Sequence, residues 1–201
     1  MKIIAQGAEA KILLDEKNSL VIKDRVSKSY RLKELDEKIR KQRTKAEKKL
    51  LEKACKIINA PNPLPLKDFD KIKMPFIKGK KLSENLDNFP ITKQKEIMKQ
   101  VGESIAKIHD ADIIHGDLTT SNMILSNERV FFIDFGLGYI SKKIEDKAVD
   151  LHLLKHALEA KHFKNWKILF EKFLEGYKKG KESKKILERL TAVEKRGRYK
   201  N

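Results

Sequence analysis

Ile113-Ile114-His115-Gly116-Asp117-Leu118-Thr119-Thr120-Ser121-Asn122, followed after a short apolar run by Ile133-Asp134-Phe135-Gly136, is the stretch on which the reading of this chain turns. An aspartate and an asparagine stand five residues apart, and a second aspartate leads a Phe-Gly pair. A carboxylate at Asp117 can accept a hydrogen bond from an attacking hydroxyl. The amide oxygen of Asn122 and the carboxylate of Asp134 are hard oxygen donors of the kind that magnesium takes. Asp-Phe-Gly alone is a common turn after a strand, so the weight lies in the combination. His-Gly-Asp-x-x-x-x-Asn is followed by an apolar strand at Met123 to Leu125, a two-residue turn at Asn127-Glu128 and a second strand at Val130 to Ile133.

That order and spacing match the catalytic hairpin of kinase-like enzymes, which orients a hydroxyl and holds magnesium-bound ATP. Upstream, Lys2 to Ala5, Ala10 to Leu14 and Leu20 to Lys23 read as three antiparallel strands. The first turn, Gln6-Gly7-Ala8-Glu9, lies where a kinase places its glycine-rich loop. It carries one glycine, Gly7, where the usual pattern has three, and a simple hairpin turn explains it equally well. Lys23 ends the third strand behind Val21 and Ile22, where a kinase lysine reaches the nucleotide phosphates.

Leu32, Leu35, Ile39, Ala46, Leu50, Ala54 and Ile57 then recur at helical spacing along a long basic helix, which predicts an apolar stripe there. The helix would bring Glu47 to Lys23, with Glu52 as the competing partner. Pro61-Asn62-Pro63-Leu64-Pro65 breaks the helix. Ile72 to Ile77 is the next strand. Met74, Phe76 and Ile77 occupy the place where kinases offer backbone groups to adenine, and Pro75 cannot donate there.

Ile91 to Ala111 reads as a second long helix, and Asp146 to Ala160, Phe163 to Tyr177 and Ser183 to Ala192 as three more. Trp166, Phe170 and Phe173 are expected in the core, as is Cys55. Asp150, read as opening its helix, either caps it or bonds back to the catalytic loop. His152 and His156 have the spacing of metal-binding pairs, but Leu153 stands where the zinc-protease pattern needs glutamate, so no metal is expected. Residues 194–201 read as a basic, mobile tail.

The chain has 201 residues and a formal charge of +17, which allows one good core or two small lobes and points toward polyanions. Lysine-rich, glutamate-rich compositions also occur in heat-adapted proteins, so a solvated basic surface is the competing explanation. With a single cysteine, no leader-like segment at Met1 to Gln6 and no run of roughly eighteen apolar residues, the expected setting is cytoplasmic, with no membrane partner.

Across nearly its whole length the chain resembles the small atypical protein-kinase-like family that forms part of the KEOPS complex in archaea and eukaryotes, called PRPK in its eukaryotic members. The resemblance is carried by Gln6 to Ala10, Ile22 to Arg25, Tyr30-Arg31, Leu35-Asp36, Arg43-Thr44 leading to Glu47, His115 to Asn122, Asp134 to Gly138, Asp150-Leu151 and Arg196-Gly197-Arg198. It implies an α+β, two-lobed kinase-like fold: an N-lobe over 1–77, a reduced helical C-lobe over 78–193 and the tail. It also implies binding of ATP with Mg2+, serine/threonine kinase or ATPase activity, and support of threonylcarbamoylation of adenosine in tRNA. A larger metal-dependent tRNA-modifying subunit, the other KEOPS subunits and tRNA are the implied partners. The implied site is Asp117, Lys23 and Glu47 for catalysis, Gly7, Met74, Phe76 and Ile77 around the nucleotide, and Asn122 and Asp134 on the metal.

Two departures from ordinary kinases agree with this. The arginine that senses a phosphorylated activation loop is replaced by Gly116, and the lysine two residues beyond the catalytic aspartate by Thr119. Little chain separates Asp134 from Asp150, and no Ala-Pro-Glu closes it. A small-molecule phosphotransferase of the aminoglycoside or choline type shares His-Gly-Asp-x-x-x-x-Asn but generally adds a helical acceptor region. A catalytically silent RNA-binding module would not need Lys23, Asp117, Asn122 and Asp134 intact.

Overall fold

The computed structural model describes residues 1–198, apart from the side chains of 196–198. Strands β1 (Lys2–Gln6), β2 (Ala10–Asp15), β3 (Leu20–Arg25) and β4 (Lys71–Pro75) form one antiparallel sheet in that order. β3 extends past Lys23 to Arg25, because Ala10 and Lys11 of β2 pair with Arg25 and Asp24. Its alternation buries Val21, Lys23 and Arg25 on one face.

Helix α1 (Lys33–Ala54) packs beside this sheet. Its expected apolar stripe holds only toward the C-terminal end, where Leu50, Leu51 and Ala54 are buried. Leu32, Leu35 and Ala46 face solvent, and the inward positions ahead of Leu50 belong to Asp36, Thr44 and Glu47. Charge pairing replaces apolar packing over that half. Asp36 is 2.8 Å from Arg40 and 3.5 Å from Arg31, and accepts the Lys28 amide at 3.2 Å. Arg40 also pairs with Asp70 just ahead of β4. Cys55 is half-buried rather than in the core, its thiol 3.5 Å from the Glu52 carbonyl.

After β4 come β5 (Lys80–Lys81), the short α2 (Leu82–Asn85) and the long α3 (Ile91–Asp110), whose Ile97, Met98, Val101, Ile105 and Ile108 are buried. β6 (Ile113–Ile114) leads into the catalytic loop; β7 (Met123–Ser126) and β8 (Arg129–Phe132) form the hairpin beyond it. Asn127 and Glu128 turn that hairpin with φ of 46° and 64°, as a two-residue loop requires. β9 (Tyr139–Ile140) pairs with β6, and α4 (Ile144–Lys161), α5 (Trp166–Tyr177) and α6 (Ser183–Arg198) complete the chain.

Helices α3 and α5 meet through two glycines. A Cβ at Gly102 would lie 2.0 Å from the Phe173 carbonyl oxygen, and one at Gly176 2.1 Å from that of Lys99. Phe173 is buried as expected and Phe170 nearly so, while Trp166 is half-buried against the same core. One continuous apolar core joins Leu50, Leu51 and Ala54 of α1 to these helices, so the two lobes share it. The architecture is α+β and two-lobed.

Helix α6 runs beyond the expected stop at Ala192 to Arg198, so the first part of the expected tail is helical. Good helix formers there and a 2.8 Å pair between Glu194 and Lys155 of α4 account for it. The side chains of Arg196 and Arg198, and residues 199–201, lie outside the described residues. Among the described residues no helix is long and apolar enough to cross a membrane.

Candidate active site

Strand alternation and helix phase bring three distant charges together. Lys23 Nζ is 2.7 Å from Glu47 Oε1 and 2.7 Å from Asp134 Oδ1. Glu52, the competing partner from the sequence, is half-buried and forms no ion pair there. The second Glu47 oxygen is not free, since Arg25 Nη2 is 2.5 Å from Oε2. Glu47 is only 1% exposed and Arg25 5%, so this pair is desolvated.

Asp134 has φ 61°, and this left-handed turn directs its carboxylate back to Lys23 and to the Gly136 amide, 3.1 Å from Oδ1. Partial burial works against its ionisation, but the charge and hydrogen bond of Lys23, with the Gly136 amide, outweigh it and hold its pKa below the ordinary carboxylate value. The second oxygen, Oδ2, belongs to a side chain that is about half exposed.

Across the hairpin, Asn122 Nδ2 donates to the Asp117 carbonyl at 2.9 Å and to Asp117 Oδ2 at 2.8 Å. Its amide nitrogen is therefore committed to Asp117. The Asn122 carbonyl accepts the Ile133 amide at 3.0 Å, which ties the Asp117 loop to the residue just before Asp134. Asn122 Oδ1 and Asp134 Oδ2 are hard oxygens of the type that suits magnesium.

The loop backbone is held from below. Asp150 accepts the His115 amide at 2.9 Å and the Gly116 amide at 3.0 Å. Asp150 sits well inside α4, not at its start, so the helix-cap alternative does not hold. Gly116 has φ 78°, and a Cβ there would lie 2.3 Å from the Leu137 carbonyl oxygen. The arginine of ordinary kinases could not occupy this backbone without strain. His115 is buried against Phe135 with ring centroids 4.6 Å apart, and burial pushes its pKa down despite the neighbouring Asp150, Asp134 and Asp117.

The Gly7 turn closes by a 3.0 Å hydrogen bond from the Gly7 amide to the Ala10 carbonyl and is exposed. It is braced from α1 by a 2.6 Å pair between Arg43 and Glu9, and by Lys28 Nζ on the Ala8 carbonyl. At the other edge, Met74, Phe76 and Ile77 are half-buried, and β4 ends at Pro75 rather than Ile77. The Phe76 amide donates to the Ser19 carbonyl at 2.9 Å, so it is already committed within the sheet.

Sequence reading missed two partners. Arg25 escaped notice among many basic residues, although period-two alternation from Val21 through Lys23 points to it. His109 also escaped: Nε2 is 3.2 Å from Asp150 and Nδ1 2.8 Å from the Tyr177 hydroxyl. His152 and His156 stand away from this site on α4, their Nε2 atoms 3.0 Å apart.

Residues 15–151 match the RIO domain. The chain is 42% identical to the KEOPS complex subunit Bud32 of Pyrococcus abyssi, an alignment covering 100% of this chain and 97% of that protein. It is 40% identical to a probable serine/threonine-protein kinase BUD32 homolog of Archaeoglobus fulgidus, covering 99% and 96%. A probable bifunctional tRNA threonylcarbamoyladenosine biosynthesis protein of Methanobrevibacter smithii is 44% identical over 98% of this chain, which spans 36% of that longer protein. With a kinase-like lysine, glutamate and Asp-Phe-Gly aspartate converging in space, and full-length similarity on top, the chain belongs to the RIO-domain family and, within it, to the Bud32 group.

Proposed function

We propose that the chain is a magnesium-ATP-dependent atypical serine/threonine kinase or ATPase that works as a KEOPS subunit in forming threonylcarbamoyladenosine on tRNA. The observation that carries this reading is Lys23 held between Glu47 and Asp134, 2.7 Å from each, with the Asp117–Asn122 bracket tied to Ile133 beside Asp134. The names of the relatives support the cellular role. The fused relative of Methanobrevibacter smithii supports a tRNA-modifying partner, since there a chain like this one belongs to a longer protein of that name.

In this reading Lys23 Nζ contacts the nucleotide phosphates and Glu47 fixes its position. The Gly7 turn covers the phosphates, and Met74, the Phe76 carbonyl and the Ile77 amide border the adenine. Asn122 Oδ1 and Asp134 Oδ2 would hold magnesium, which when bound offsets phosphate charge. Asp117 Oδ2 is fixed by Asn122, so Oδ1 is the atom that accepts the proton of the attacking hydroxyl as its oxygen bonds to the γ-phosphorus and ADP leaves.

ATP turnover by the purified chain, with and without tRNA and a KEOPS partner subunit, tests the proposal. Turnover that requires magnesium and rises with partner and tRNA is the expected result. Absence of nucleotide binding in calorimetry would remove it.

A further inference from the structure

We propose that Thr120 is a positioning residue for the Asp117–Asn122 bracket, held by a relay that runs from Asp87 through His162; the inference rests on the magnesium-ATP reading above. Thr120 Oγ1 is 3.0 Å from His162 Nε2, and His162 Nδ1 is 3.0 Å from Asp87 Oδ2. The three residues come from separate parts of the C-lobe. Thr120 lies in the catalytic loop, His162 at the end of α4, and Asp87 in the short helical turn Leu86–Asn88 that follows α2.

The chemistry gives the relay one direction. An ionised carboxylate only accepts, so Asp87 takes the Nδ1 proton of His162. In the neutral imidazole Nε2 is then an acceptor, and the Thr120 hydroxyl donates to it. The order Asp-His-Thr is also that of an activated nucleophile. Here Thr120 and His162 are each only 1% exposed, so no substrate reaches the hydroxyl, and the relay holds the loop instead of reacting. Its middle member is itself fixed. The His162 amide donates to the Leu158 carbonyl at 2.8 Å, and the His162 carbonyl accepts the Asn165 amide at 3.1 Å.

Thr120 opens the turn Thr120–Asn122, and Asn122 at its end makes both bonds to Asp117. A shift at Thr120 therefore reaches the proposed base and the proposed metal ligand together. Asp150 holds the near end of the same loop through the His115 and Gly116 amides, and the relay holds the far end. Breaking the relay strands a buried hydroxyl or a buried imidazole nitrogen, which the loop relieves only by moving.

Steady-state kinetics of the full chain supply the test. Thr120→Val keeps the side-chain shape and removes the donor. At saturating magnesium it should lower kcat for ATP turnover about tenfold and leave the KM for ATP within about twofold of wild type. The magnesium concentration for half-maximal turnover should rise about fivefold, because Asn122 moves with the turn. Thr120→Ser restores the donor and should bring all three values back to within about twofold. Asp87→Ala removes the lock on the imidazole from a half-exposed position and should lower kcat about threefold. Nitrogen NMR of His162 at mildly alkaline pH should show the Nδ1-protonated tautomer in the wild type and a mixture in Asp87→Ala. Wild-type kinetics in Thr120→Val overturn the proposal, as does a KM for ATP that rises in step with the fall in kcat, which would make Thr120 a packing residue. If Thr120→Val does not fold, Asp87→Ala decides, and an unchanged kcat there overturns the proposal. Failure of the wild type to bind magnesium ATP removes the nucleotide reading and this inference together, whereas turnover unaltered by the substitutions removes this inference alone.

Discussion

Asp150 accepts the backbone amide of His115 at 2.9 Å through the same Oδ2 that stands 3.2 Å from His109 Nε2, so one carboxylate on α4 joins the loop bearing Asp117 to helix α3. Burial opposes ionisation of Asp150, but the hydrogen bond and charge of His109 and the loop amide outweigh it and hold its pKa below the ordinary value. A carboxylate with a lowered folded pKa contributes stability above its unfolded value, about 3.9, and loses it as pH falls through the folded one. At neutral pH that contribution is fully present. Asp150→Ala strands two loop amides and His109, and should cost about 3 kcal/mol in urea unfolding. A loss below about 1 kcal/mol would mean that the loop is held by other contacts.

Asp134 and Lys23 should fail differently. Asp134→Ala removes an oxygen proposed for the metal and should abolish magnesium-dependent turnover. Lys23→Met removes a phosphate contact and should raise the KM for ATP strongly while the chain stays folded. Titrating magnesium against both variants separates the two roles, and turnover at the original rate in Asp134→Ala would remove the kinase reading.

Asp117→Ala should suppress turnover by about a hundredfold to ten-thousandfold while ATP affinity stays within a few-fold, because Asp117 acts on the attacking oxygen and not on bound phosphate. The structure keeps the bracket partly intact in this variant, since Asn122 retains its bond to the backbone carbonyl of residue 117. Calorimetry beside single-turnover rates checks the split. Affinity that collapses together with the rate would reassign Asp117 as structural.

The catalytic hairpin was legible in sequence because its groups are close along the chain and its turn chemistry is explicit. Lys23 and Glu47 were legible through strand and helix period. Arg25 and Asp36 were not, because a periodicity argument counts apolar residues and treats a charge as solvent-facing, whereas here paired charges line the inner face of α1. The contact of His109 with Tyr177 spans 68 residues and leaves no local signal. The bond from the Phe76 amide to Ser19 was out of reach for a related reason: Ser19 lies in a turn whose carbonyl direction no sequence pattern reports.

His115 supplies a pH prediction. Its folded pKa is lowered, chiefly by burial, so between that value and about 6.5 the unfolded chain binds more protons than the folded one. Stability should therefore fall as pH drops below about 6.5, before carboxylates protonate near 4. His152, also lowered mainly by burial, adds in the same direction. In His115→Asn the slope of melting temperature between pH 6.5 and 5.5 should flatten but not vanish. An unchanged slope would place the titration elsewhere.

The basic face of α1 yields the last prediction. Cations crowd the helix in sequence from Arg31 to Lys49, but the structure divides them. Arg31, Arg40 and Arg43 are engaged with Asp36, Asp70 and Glu9, and so brace the fold. Lys33, Lys38, Lys41, Lys45 and Lys49 are exposed, and Lys38, Lys41 and Lys45 follow the helical spacing of one face. A row of mobile ammonium groups suits a phosphate backbone and reads no bases, and its pairing with phosphates releases counterions on binding. Replacing Lys38, Lys41 and Lys45 by glutamate should leave folding and basal ATP turnover intact, since none of them touches the site. The same substitution should weaken tRNA binding and make its dependence on salt shallower, by a slope of roughly one for each phosphate no longer neutralised. A solvated surface with no RNA role predicts equal affinity and equal slope across the salt series, so filter binding at several ionic strengths decides between them.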